Sequence, residues 1–273
     1  MRDRGHPDPP GPAGHPLAAG PGRAMNRWRR LLARLGCGLR TAGAAADRLV
    51  LPPLCPLCQG AEALDDEGVC PRCRPLLQDL PAPRCPHCGG VLDGVLEACG
   101  ECLAAGDLRP WTLAVSAFPF QGAARELVHR FKYQDQPWLA RFLGARLAAN
   151  WRRHGGGILP DAVVPVPLHP WREFRRGYNQ AELLARELAR ALDRPLAPCL
   201  RRRRWTRQQA RLSGGDRRKN LRDAFRVTRL PGPRPALLLV DDVFTTGATL
   251  EAAAHALLAA GAGTVMVATV ARD

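Results

Sequence analysis

From residue 111 onward the apolar positions switch between two periods. The segments TLAVSAFPF, DAVVPVPL, ALLLVDDV and TVMVATVA are short and largely apolar, which predicts strands covered on both faces. Between them, AARELVHRFKY, WLARFLGARLAANWRR, NQAELLARELARAL and ATLEAAAHALLAAG repeat apolar residues at helical spacing. Leu184, Leu188 and Leu192 mark one buried stripe, with Asn179 placed as the N-cap of that helix. Leu250, Ala254, Leu257 and Leu258 mark another, closed by Gly261 as its C-terminal cap. Strands alternating with helices predict a doubly wound α/β domain with a parallel sheet over residues 111–273.

The chain ahead of that domain follows neither period. Residues 1–24 hold six Pro and five Gly without a repeat, a composition that predicts disorder. The stretch reads as an over-extended start, with Met25 as the initiator. Residues 25–50 carry Trp28, Leu31, Leu32 and Leu35 among arginines and predict an amphipathic helix. No apolar h-region of a signal peptide follows, so the expected location is cytoplasmic. No apolar run anywhere approaches the roughly 18–20 residues of a membrane span.

Residues 51–105 are organised by cysteine. Cys55/Cys58, Cys70/Cys73, Cys85/Cys88 and Cys99/Cys102 form four C-x-x-C pairs, and each pair lets two thiolates reach one metal. Two pairs supply a tetrahedral four-sulfur site, which predicts two structural zinc ions. Sequential and interleaved use of the pairs are equally open. Disulfides would require an oxidising compartment that nothing near the N-terminus supports.

Composition adds a partner class. The formal net charge is +15, which points to a polyanion, either nucleic acid or a multiply phosphorylated small molecule. Residues 201–229 hold 12 Lys/Arg against 2 Asp, a local excess of +10. Arg201, Arg202, Arg203, Arg204, Arg217, Arg218 and Lys219 suit a mobile flap over a diphosphate. They equally suit a groove for single-stranded DNA, with Trp205 stacking on a base.

The candidate chemistry sits where the third strand ends, at LLLVDDVFTTGATLEAAAHALL. Asp241 and Asp242 reach the carboxyl edge of the sheet, where such folds bind ligands. Thr245, Thr246, Gly247, Ala248 and Thr249 then turn into the amino terminus of a helix, a nest for a phosphate monoester. Acids beside a phosphate nest make sense if the ligand also carries hydroxyls, or a magnesium ion to share, as a ribose 5-phosphate does.

This stretch resembles the phosphoribosyl-pyrophosphate signature of type I phosphoribosyltransferases. Together with the cysteine block, VVPVPLHPWREFRRGYNQAELLARELA and TRQQARLSGGDRRKNLRDAF, the chain from about residue 49 is similar to the ComF family of competence-associated proteins. The resemblance implies a type I phosphoribosyltransferase-like fold in which Asp241 and Asp242 hold ribose hydroxyls and residues 245–249 hold the 5-phosphate. It places pyrophosphate at the loop from Leu168 to Arg176. Arg172, Arg175 and Arg176 beside Gly177 have the right chemistry for charge-assisted contacts there, although a solvated basic helix start reads the same way. The implied ligand is phosphoribosyl pyrophosphate with magnesium, and the implied activity is that of a phosphoribosyltransferase of unknown acceptor. The alternative is a factor handling single-stranded DNA with a helicase-like competence partner, its sugar-phosphate pocket being regulatory or vestigial.

Overall fold

The computed structural model describes residues 54–60, 64–65, 68–92, 98–104, 109–202 and 224–273. The expectations for residues 1–24 and 25–50, and those on Arg203, Arg204, Trp205, Arg217, Arg218 and Lys219, lie outside the described residues. In chain order the elements are α1 (Gly100–Ala104), β1 (Ala114–Pro119), α2 (Gly122–Tyr133), α3 (Leu139–His154), β2 (Ala162–Pro165), α4 (Pro170–Arg176), α5 (Gln180–Leu192), β3 (Leu200–Arg202), β4 (Phe225–Val227), β5 (Ala236–Phe244), α6 (Ala248–Ala259) and β6 (Thr264–Arg272).

The apolar strands form one parallel sheet in the order β1-β6-β5-β2. Residue alternation along each strand splits the core into two layers. Leu238, Val240, Met266 and Ala268 face one side with Leu143, Leu147, Leu184 and Leu188 of α3 and α5. Leu237, Leu239, Val265 and Val267 face the other with Leu250, Ala253 and Leu257 of α6. The doubly wound architecture expected from the pattern is therefore present.

Small residues and caps fix how the helices enter. Gly144 lets α3 meet α5 so closely that a Cβ there would stand 2.5 Å from the Glu187 Cβ. Asn179 caps α5, its side chain accepting from the Ala181 N–H at 3.1 Å. Gly261, with φ +101, follows α6 as its left-handed stop, donating to the Leu258 carbonyl at 3.0 Å.

Two features depart from the sequence reading. Residues 168–176, expected as a loop, contain the short helix α4. Its local signals are complete: the His169 side chain accepts from the Trp171 N–H, Pro170 opens the first turn, and left-handed Gly177 ends it. The second is the antiparallel pair β3–β4, with Leu200 opposite Val227 and Arg202 opposite Phe225, which brackets the basic segment.

The cysteine-rich residues belong to the same compact unit as the sheet, spanning residues 54–273. Cys55, Cys70 and Cys73 pack into the core layer of α3 and α5, whereas Cys85, Cys88 and Cys102 pack into the layer of α6. Among the described residues no helix is long and apolar enough to cross a membrane.

Candidate functional site

β5 is longer than its neighbour β2. The pairing with β2 stops at Pro165 opposite Val240, while β6 follows β5 through Asp241 opposite Thr269 to Phe244 opposite Arg272. Asp241 and Asp242 thus stand one step beyond the end of β2, on a strand still held from one side. Strand alternation turns them to opposite faces.

Asp242 is buried and pairs with Lys132 of α2 at 2.8 Å. Asp241 accepts the Asp242 backbone N–H at 2.8 Å and lies within reach of the Arg202 charge on β3. Burial, then the neighbouring Asp242 charge, pushes the Asp241 carboxyl up to about 7, against the pull of the Asp242 N–H, Lys132 and Arg202. A carboxyl held so far above its ordinary range marks a candidate functional position.

The loop from Thr245 to Thr249 leads directly into α6. Gly247 is its N-cap at φ +79, a left-handed conformation that L side chains rarely adopt. Its carbonyl receives the Glu251 N–H at 2.8 Å, and the exposed Thr246 hydroxyl lies 3.5 Å from the Ala248 N–H. The first N–H groups of the helix thus face the same edge of the sheet as the acids.

α4 and the end of α2 wall a cleft of about 890 Å³ that includes Arg172, Arg175, Arg176, Gly177 and Lys132. Lys132 is common to this cleft and to the ion pair with Asp242, so the cleft adjoins the acid pair. Three aromatics in its wall remain open to solvent: Tyr133 at 66%, Trp171 at 48% and Phe174 at 86%. Arg175 stacks over Trp171 at 4.7 Å and Arg176 over Tyr133 at 5.0 Å. Leu168, by contrast, precedes α4 and is not among the residues lining the cleft.

Of the basic segment, Arg201 and Arg202 lie on β3. Arg201 is exposed, whereas Arg202 turns inward over Phe225 at 5.5 Å and feels both Arg172 and Asp241. Arg172, Arg202 and Lys132 are therefore gathered around the acids.

The cysteines resolve into two tetrads in sequence order, Cys55/Cys58/Cys70/Cys73 and Cys85/Cys88/Cys99/Cys102. Within each, the ligand atoms lie within 4.8 Å of one another. The Cys58–Cys70 and Cys88–Cys99 sulfurs are 3.7 and 3.5 Å apart. Such spacings match the edge of about 3.8 Å of a tetrahedron with 2.3 Å metal–sulfur bonds. They are far too long for disulfides.

The two knuckles repeat one hydrogen-bond pattern. Gln59 donates to Cys55 O and Gly89 to Cys85 O, each at 2.8 Å, while Cys55 and Cys85 donate to Gly60 O and Gly90 O at 3.0 and 2.8 Å. Burial opposes ionisation of Cys55, but the backbone N–H groups of Cys70, Cys58 and Leu57 outweigh it and bring the thiol down to about 7. Each tetrad therefore fits one structural zinc.

A family model described as a double zinc ribbon domain matches residues 46–103. Competence protein F of Haemophilus influenzae is 37% identical over 203 residues, covering 72% of this chain and 87% of that protein. The chain belongs to the ComF family. The DNA utilization protein YhgH of Salmonella typhi is 36% identical, over 80% of this chain and 96% of its own length. Competence protein ComFC of Bacillus subtilis is 28% identical, over 72% and 80%. Among solved structures, a purine phosphoribosyltransferase from Pyrococcus horikoshii Ot3 aligns at a TM-score of 0.32 and 20% identity, covering 50% of this chain and 73% of that one.

Sequence reasoning about this ComF protein missed Lys132, Tyr133, Trp171 and Phe174. The signal for the last two was present. In HPWREFRRGYN, aromatics interleave with arginines in a chain that is only 5% aromatic. Lys132 carried no such mark, because nothing in the sequence brings the end of α2 to β5.

Proposed function

We propose that this ComF protein binds phosphoribosyl pyrophosphate with magnesium and transfers the phosphoribosyl group to an acceptor nitrogen. The observation that carries the reading is the acid pair on the part of β5 that extends beyond β2, directly followed by the Gly247 turn into α6. In this reading Asp241 and Asp242 accept the ribose hydroxyls, and residues 245–249 receive the 5-phosphate at the positive end of the helix. Arg172, Arg175 and Arg176 hold the diphosphate in the cleft, with Arg202 and Lys132 adding positive charge around the same centre. Asp241 and Asp242 would be the residues to share magnesium, which when bound would supply charge neutralisation of the diphosphate.

The protein's own contribution is then positioning and charge stabilisation. The bond from C1 to pyrophosphate breaks, the acceptor nitrogen supplies the electron pair of the new bond, and the nitrogen's proton leaves to solvent or base. Calorimetry on the separate halves of the ligand tests the arrangement. The Arg172→Ala/Arg175→Ala variant should bind pyrophosphate at least about tenfold more weakly while keeping its affinity for ribose 5-phosphate. Unchanged pyrophosphate binding would remove the cleft from the proposed site.

A second reading is favoured by the exposed aromatic–arginine pairs. Trp171, Phe174 and Tyr133 offer stacking faces, and the arginines offer phosphate contacts, as a single-stranded nucleic acid requires. The relatives named for competence in Haemophilus influenzae and for DNA utilization in Salmonella typhi support this reading, and a helicase-like partner is proposed with it. Anisotropy of a labelled oligothymidine with Trp171→Ala/Phe174→Ala separates the two readings. A stacking site loses oligonucleotide binding and keeps pyrophosphate; unchanged oligonucleotide binding removes the cleft from this reading.

A further inference from the structure

The floor beneath the Thr/Gly loop is Phe244, the last residue of β5, only 1% exposed. Its ring is so close that a Cβ on Gly247 would stand 2.8 Å from the Phe244 Cζ. The shape of the loop therefore depends on where this ring is held.

Three side chains hold it, and two of them, Trp111 and Arg272, lead back to the second zinc ribbon. Trp111 meets Phe244 edge-on at 5.9 Å, and its indole N–H donates at 2.8 Å to the carbonyl of His87, inside the Cys85–Cys88 knuckle. Arg272, on β6 opposite Phe244, covers the ring at 5.0 Å. Its side chain lies beside Gly90 together with the Cys88 sulfur, and its guanidinium pairs with Glu101, which lies between the ligands Cys99 and Cys102. Arg109 stands 5.9 Å from the ring, between the ribbon and β1, and pairs with Glu251 in the first turn of α6. The same Arg109 guanidinium approaches within 3.3 Å of the Cβ position of Gly247.

The first ribbon has a different neighbourhood. Its cysteines pack in the opposite core layer, and its Leu57 carbonyl accepts from Arg130 of α2 at 3.0 Å. The two metal sites therefore brace different parts of the domain.

We infer that the second zinc ribbon is part of the sugar-phosphate site: the metal at Cys85, Cys88, Cys99 and Cys102 fixes Arg272 and Trp111 around Phe244, and through them the phosphate-receiving shape of residues 244–249. Arg272 and Trp111 are then positioning residues. The inference rests on the reading that residues 245–249 receive a phosphate. Coupling of this kind is reciprocal, so zinc in the second tetrad and phosphate in the loop each strengthen the other's binding.

The test uses the full chain loaded with both metals and compares Arg272→Gln and Trp111→Phe with Arg130→Gln; the Arg130 guanidinium reaches the first ribbon at Leu57 and also Gln136. Zinc content, backbone hydrogen exchange over residues 244–250 and ribose 5-phosphate affinity are measured on each. Arg272→Gln and Trp111→Phe should retain two zinc ions, exchange about tenfold faster in the loop and bind ribose 5-phosphate about tenfold more weakly, in the range that outer-shell partners of a metal site command. Arg130→Gln should match the wild type in the loop. In the wild type, ribose 5-phosphate should slow the release of one of the two zinc ions to a chelator.

Unchanged loop exchange in both positioning variants overturns the inference whatever the ligand does. Equal slowing of both zinc ions, or of neither, overturns the reciprocal coupling. A wild type that fails to bind ribose 5-phosphate, with loop exchange accelerated in the variants, overturns the phosphate reading and leaves a purely mechanical brace.

Discussion

Asp241 is expensive to keep ionised in this fold. With its carboxyl near 7 in the folded chain and about 3.9 when unfolded, the folded state holds the extra proton between those values. Stability therefore falls as pH rises from about 4 to 7 and stays at the lower level above that window. Asp241→Asn removes the cost, so thermal melts should show the variant more stable than the wild type at pH 8 and close to it at pH 4. The opposite order at pH 8 would mean that the carboxylate is already compensated. Ligand binding should run the other way. A protonated Asp241 has lost the charge that attracts a cation and strengthens a bond from a ribose hydroxyl, so the affinity for phosphoribosyl pyrophosphate with magnesium should increase from pH 6 to pH 8 in titrations at fixed metal. Gly247 carries the second residue-scale expectation. Gly247→Ala places a Cβ at φ +79 and 2.8 Å from Phe244, a strain of about 1–3 kcal/mol that should appear both in the melting temperature and in weaker ribose 5-phosphate binding.

The helices show which parts of the fold were legible. α3, α5 and α6 bury a stripe against the sheet, so their apolar spacing was visible, and the strands announced themselves because both faces of each are covered. α4 buries none of its residues, and with no core face there was no period to read. β3 and β4 pair over three residues each, too few for alternation to register, and their partners are separated by the whole basic segment. The acid pair and its loop were legible because strand, acids, turn and helix are contiguous. Lys132 was not, because the connection from β1 to β2 contains two helices: α3 covers β1 and β6, and α2 ends at Asp242. The close approach of α3 to α5 gives the element-scale expectation. Gly144→Ala drives a Cβ into Glu187, and overpacking of that kind should lower stability by about 1–3 kcal/mol, read as a lower urea midpoint with an unchanged slope.

At the scale of the whole molecule, the cysteine module and the sheet share their cores. Four C-x-x-C pairs predicted two zinc sites, but spacing alone left their pairing open; the structure joins neighbouring pairs, each against its own layer. Removing zinc should therefore destabilise residues 54–273 as one cooperative unit rather than melt a separate finger, and calorimetric scans with and without chelator would show one transition moving to lower temperature. The +15 charge has a matching location in the cleft, where Arg172, Arg175 and Arg176 meet the acids through Lys132. The most direct measurement is a calorimetric titration of phosphoribosyl pyrophosphate with magnesium into the zinc-loaded chain, in parallel with an Asp241→Asn/Asp242→Asn variant. Saturable binding by the wild type, lost in a variant that melts no lower, is the expected result. A folded, zinc-loaded wild type that takes up no ligand, or a variant that binds as well, would contradict the sugar-phosphate site.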